Sequence, residues 1–162
     1  MMRNLILLAV ATLALAACST VQESAPPLPP PAPTTAVIEG SAAYVTNAGR
    51  NVSCAGLSVA LMADTAKTQA RMLALYGSAS HAIQSVEVVK ARSAGLEAGA
   101  QPLNSAACTE HGDFVFNDVQ PGLYFLIAHV RRLPPGNVPD DFVILQRVSV
   151  QPGETRQVHL AP

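Results

Sequence analysis

Tryptophan is absent from the 162 residues, and other aromatics are few: three Tyr and four Phe. A surface that stacks bases or sugar rings on aromatic faces has little to draw on. Charge is scarce too, with 13% Asp, Glu, Lys and Arg and a formal net charge of −1. No basic stripe recurs, and Arg131-Arg132 is an isolated pair. Nucleic-acid binding needs clustered positive charge to displace counterions, so no nucleic-acid partner is expected. Motifs of chemistry are missing as well. The four histidines, His81, His111, His129 and His159, stand in no HExxH or other ligand spacing. His111 lies beside Glu110 and near Asp113, which reads as an exposed polar turn. No Gly-x-Ser-x-Gly elbow and no glycine-rich phosphate loop is present. Asp140-Asp141 are adjacent and so tend to point apart, a poor general acid–base pair. No catalytic residue, metal ligand or cofactor is expected, and the chain is not expected to be an enzyme.

What is present begins with a leader. Arg3 supplies a positive start, and residues 5–16 form an apolar run shorter than the roughly 20 residues a bilayer span needs. The run ends in Leu15-Ala16-Ala17-Cys18, which resembles the bacterial lipobox. That resemblance implies a lipoprotein signal peptide over 1–17 and acylation of Cys18, which becomes the first mature residue. Two or more acyl chains hold a protein stably to a membrane, since each buried CH₂ contributes about 0.8 kcal/mol. Ser19 follows the cysteine, where the Asp that favours inner-membrane retention in enteric-type sorting is absent. The expected location is the bacterial cell envelope, at the outer membrane facing the periplasm. Residues 18–35 then carry Ala25-Pro26-Pro27-Leu28-Pro29-Pro30-Pro31-Ala32-Pro33. Proline lacks the backbone donor and fixes φ, so this stretch is expected to be a polyproline II tether of about 3.1 Å per residue.

Residues 36–162 are expected to form one domain. With Cys18 assigned to lipid, Cys54 and Cys108 remain, an even number in an oxidising compartment. A disulfide between them is expected. Alternation predicts strands over 36–45 and 56–62, the latter with Leu57, Val59 and Leu61 on one face. Residues 64–76 break the alternation. Asp64 or Thr65 can cap a helix there, Ala66, Ala70, Leu73 and Tyr76 fall near helical spacing, and Gly77 can end it. A strand is predicted over 86–91 from Val86, Val88 and Val89, and a long surface loop over 93–106. Two strands flank Pro121-Gly122, a pair suited to the centre of a type II turn, and read as a hairpin. Phe114 and Phe116 share one face of the first strand. The second is apolar on both faces, with Tyr124, Leu126, Ala128 and Val130 opposed to Phe125, Ile127 and His129, which predicts a central strand covered on both sides. Pro134-Pro135-Gly136 stops it, and strands follow over 142–150 and 156–160.

Ile38-Glu39-Gly40, Leu57-Ser58-Val59-Ala60-Leu61, Thr109, Gly112, Phe114, Phe116, Pro121-Gly122, Tyr124, Leu126, Val148, Val150, Gly153, Val158 and Leu160 form a pattern over most of 37–160. It resembles the carboxypeptidase regulatory-like domains of the prealbumin (transthyretin-like) group. The resemblance implies a mainly β, Ig-like antiparallel sandwich of about seven strands, with the short helix in an insertion at 63–107 that departs from the family. It also implies an accessory role: structural, adhesive or binding. Transthyretin-related hydrolases carry a C-terminal Tyr-Arg-Gly-Ser, whereas this sequence ends Val158-His159-Leu160-Ala161-Pro162.

The expected function is a non-catalytic structural or protein-interaction module, anchored to the membrane by lipid and meeting an envelope protein partner. Two alternatives stand beside it. One is a lipoprotein binding a glycan or small molecule through the 63–107 insertion and nearby loops. The other is a pilotin-like assembly factor for an outer-membrane complex.

Overall fold

The computed structural model describes residues 34–133 and 141–162. The expected signal peptide, Cys18, the tether up to residue 33, the Pro134-Pro135-Gly136 stop and Asp140 lie outside the described residues.

Ten strands and two helices follow in the order β1 (Ala36–Ser41), β2 (Ala43–Val45), β3 (Asn51–Ser53), β4 (Ser58–Ala63), α1 (Ala66–Tyr76), β5 (His81–Ser85), α2 (Val86–Ser93), β6 (Asn104–Ala107), β7 (Asp113–Val119), β8 (Gly122–Leu133), β9 (Asp141–Val150) and β10 (Thr155–His159) among the described residues. They form two sheets. The smaller has the order β10-β1-β7, with β1 parallel to β10 and antiparallel to β7. The larger is antiparallel throughout and centred on β8, which pairs with β3, β4 and β9; β2, β6 and β5 extend it outward. The fold is a mainly β sandwich.

Period-2 alternation decides which side chains meet between the sheets. From the small sheet come Ala36, Ile38, Phe114, Phe116 and Val119; from the large one come Val59, Leu61, Leu126, Ala128, Val130, Ile144, Val148 and Val150. Phe114 and Phe116 meet edge to face, with ring centroids 5.9 Å apart. Each such side chain contributes roughly 1.5–3 kcal/mol by leaving water. The other face of the large sheet is also dry. Phe125 and Leu145 pack there under Met72, Leu75 and Tyr76 of α1. The apolarity of β8 on both faces thus has the predicted cause.

The segment between β4 and β7 builds that helical cover. Thr65 is the N-cap of α1, forming a capping box in which its hydroxyl accepts from Thr68 N while Thr68 Oγ1 accepts from Thr65 N at 2.8 Å. Gly77, at φ 76°, ends the helix in the left-handed region. Asp64, its side chain 1% exposed, accepts from Gln69 Nε2 at 2.7 Å and from Arg147 Nε at 2.6 Å, so it ties the helix start to β9. Arg92 of α2 donates to Leu75 O at 2.8 Å, satisfying a carbonyl at the C-terminal end of α1.

Several expectations need correction. Residues 86–93 are helical rather than extended. Ser85 caps the segment, Glu87 sits in its first turn, and Lys90 and Arg92 sit in its last, the charge order that suits a helix dipole. The buried face of α1 is Thr68, Met72, Leu75 and Tyr76, while Leu73 is exposed. The loop over 93–106 ends in β6, which pairs with β4. Ten strands are present among the described residues where about seven were expected: the predicted strand over 86–91 is a helix, the first predicted strand breaks at Ala42 into β1 and β2, and β3, β5 and β6 are additional. Most consequentially, β7 and β8 are not a hairpin. β7 pairs with β1 in the small sheet and β8 lies in the large one, so Gln120-Pro121 carries the chain from one sheet to the other. Gly122 has φ 159°, far from the roughly +80° of a type II turn. The Tyr124 hydroxyl donates to Gln120 O at 2.7 Å and closes the crossover.

Candidate functional site

The outer faces of the two sheets differ. That of the large sheet is covered over β4, β5, β8 and β9 by α1 and α2. That of the small sheet carries a depression of about 490 Å³ bounded by β1, β7 and β10. Strand register sets its floor as two cross-strand rows: Gln157–Glu39–Val115 and His159–Ser41–Asp113. Alternation puts these residues outward because Ile38, Phe114 and Phe116 are committed inward.

The rows are hydrogen-bonded across the sheet. Gln157 Nε2 donates to Glu39 Oε2 at 2.6 Å, and Ser41 Oγ lies 2.8 Å from His159 Nδ1. Val115, 47% exposed, supplies an apolar edge. Gly40 lies between the two rows and faces inward. A Cβ there would stand 2.5 Å from Val158 O and 2.6 Å from Phe114 Cζ, so only glycine allows this spacing of backbone and ring. Ser41 and His159 are a serine–histidine pair by distance. β1 is paired on both sides, so the sheet ladder uses its backbone N–H groups. The face can hold a polar ligand by many hydrogen bonds.

Of the sequence-predicted residues, Cys54 and Cys108 are joined in a disulfide with Cα atoms 5.8 Å apart, buried at the end of the core. The four histidines are dispersed. His81 Nδ1 meets Gln146 Oε1 at 2.9 Å across β5 and β9. His111 is in the turn capped by Thr109, whose hydroxyl accepts from the backbone N–H of His111 and Asp113. His129 lies 3.8 Å from Asp141 Oδ2 on the helix-side face of β8. Burial pushes its pKa down, opposed by Asp141 and reinforced by Arg131 and Lys90. Only His159 belongs to the open face. Among the described residues, no three or more His, Cys, Asp and Glu side chains gather as a metal ion would require.

The 63–107 insertion, where a ligand site was expected, holds a smaller groove of about 300 Å³ between α1 and residues 96–100. Arg71 runs into it and donates to Glu97 O at 2.7 Å. Sequence reasoning missed Glu39, Ser41, Asp113, Gln157 and His159 as a group. Outward polar alternation was visible in each strand, but their adjacency depends on the parallel pairing of the first and last strands.

No family model matches the chain, and no curated protein matches it. Among solved structures, a Pseudomonas aeruginosa protein described as a "putative carbohydrate binding protein" is similar in fold. Its TM-score is 0.56 at 16% identity, covering 82% of this chain and 91% of that one.

Proposed function

We propose that this chain is a non-catalytic, lipid-anchored envelope protein whose sandwich domain binds carbohydrate on the open face of β10-β1-β7. One observation carries the reading: the small sheet presents six outward side chains in two rows around a depression of about 490 Å³, while helices cover β4, β5, β8 and β9 of the large sheet. Sugars offer rings of hydroxyls that both donate and accept. Glu39, Gln157, Ser41, His159 and Asp113 match them with carboxylate, amide, hydroxyl and imidazole groups. The likeness in fold to the Pseudomonas aeruginosa protein supports the ligand-binding reading over the structural and pilotin-like ones. Without an aromatic platform on this face, affinity comes from hydrogen bonds and is modest, in the millimolar to micromolar range that corresponds to about 4–8 kcal/mol.

The domain is further read as a carboxypeptidase regulatory-like sandwich, supported by the jobs its pattern residues do. Gly40 admits Phe114, Gly112 at φ 83° lies against Ser53, and Tyr124 closes the crossover. Cys18 is read as the acylated anchor at the outer membrane, on its lipobox-like flanks.

Calorimetric titration of the full chain with defined hexasaccharides (neutral, N-acetylated, amine-bearing and acidic) tests the binding claim. Saturable binding by at least one, lost in a Gln157→Ala/His159→Ala double variant that still folds, is expected. Binding by none, together with recovery of one protein partner after envelope crosslinking, would instead favour the interaction-module reading. For the anchor, Cys18→Ser is expected to lose lipid labelling and partition as soluble, and unchanged membrane retention refutes it.

A further inference from the structure

We propose that the β10-β1-β7 face selects by charge, taking sugars that carry a free, protonated amine and turning away acidic sugars. This rests on the carbohydrate-binding reading above and adds the ligand class. The depression is bounded by two carboxylates, Glu39 and Asp113, and by no lysine or arginine. They stand in adjacent rows on neighbouring strands, with Ser41 beside both. Arg156, the guanidinium on β10, is held 3.5 Å from Glu154. Gln157 occupies one oxygen of Glu39. Among the described residues, nothing hydrogen-bonds the other oxygen or the Asp113 carboxylate. Two part-solvated negative charges with outward acceptors complement an ammonium group flanked by hydroxyls. A carboxylated or sulfated sugar meets like charge and finds no lysine or arginine in the depression to offset it.

The probes are glucosamine hexamer (free amines), N-acetylglucosamine hexamer and galacturonic acid hexamer, titrated into the full chain by calorimetry. The amine hexamer is expected to bind most tightly, and its affinity to fall with added salt, because exposed charge contacts are screened. Glu39→Gln and Asp113→Asn keep shape and remove charge. Each is expected to weaken the amine hexamer about two- to fivefold, as for exposed ion pairs, and to weaken the N-acetylated hexamer less, since the carboxamide oxygen still accepts from a hydroxyl. Equal or tighter binding of the acidic or N-acetylated hexamer, lost in Gln157→Ala/His159→Ala, overturns the charge selectivity and leaves carbohydrate binding standing. Amine binding that neither charge-removing variant weakens overturns it also. Failure of all three sugars to bind overturns the charge selectivity, and failure of the neutral hexasaccharide as well overturns the carbohydrate-binding reading.

Discussion

Gly40 is where packing and the proposed binding face meet. It lies between the Glu39 and Ser41 positions of the face, and its inward side is filled by the Phe114 ring and the Val158 carbonyl. Backbone cannot yield as a side-chain tip can, so Gly40→Ala must shift β10 or Phe114. Overpacking of this kind costs roughly 1–3 kcal/mol, and urea denaturation of the variant should show it. A loss below about 0.5 kcal/mol, within the range of ordinary surface substitutions, contradicts the close packing. His129 is the residue with a pH signature. Burial is the largest cause of its depressed pKa, so the unfolded chain takes up the proton first as pH falls. Stability from this group is therefore full above its ordinary value near 6.5 and is lost as pH falls below it, toward the folded pKa. Glu87, Lys90, Arg131 and Asp141 are the charged groups around that end of α2 and β9. Denaturation at about pH 7.5 and about pH 5.5 should show a smaller acid loss for His129→Gln than for the unaltered chain. Equal losses would contradict the burial effect.

Among the elements, the helical layer depends most on a covalent link. The Cys54–Cys108 disulfide spans 54 residues and encloses β4, α1, β5, α2 and β6. Closing a loop of that length contributes about 4 kcal/mol in the chain-entropy account. Reduction should lower the unfolding free energy by about that amount, and free thiols in the non-reduced protein would contradict the pairing. What was legible in the sequence follows the same physics. The edges of α1 could be read because Thr65 and Gly77 act locally, through a cap and a left-handed residue. The core faces of β7 and β8 could be read because alternation is local too. The partner of each strand could not. Two amphipathic strands around Pro121-Gly122 look alike whether they pair with each other or face each other across a core, and here they face. Val86, Val88 and Val89 favour a strand by propensity, but the cap and charge order of residues 85–92 favour the helix that packs Val89 against the large sheet.

For the whole molecule, the decisive feature is the unequal treatment of two outer faces. The large sheet is apolar on both sides and needs a helical cover; the small sheet is apolar only inward and leaves its polar rows open. None of the five polar residues on that face stood out in the sequence. They come from three stretches near residues 40, 114 and 158, brought together by the parallel pairing of β1 with β10. The most direct measurement is a backbone amide NMR titration of the full chain with glucosamine hexamer. The account predicts shifts concentrated at residues 39–41, 113–115 and 157–159. Shifts centred on α1 and residues 96–100, or no saturable shifts at any residue, would contradict it.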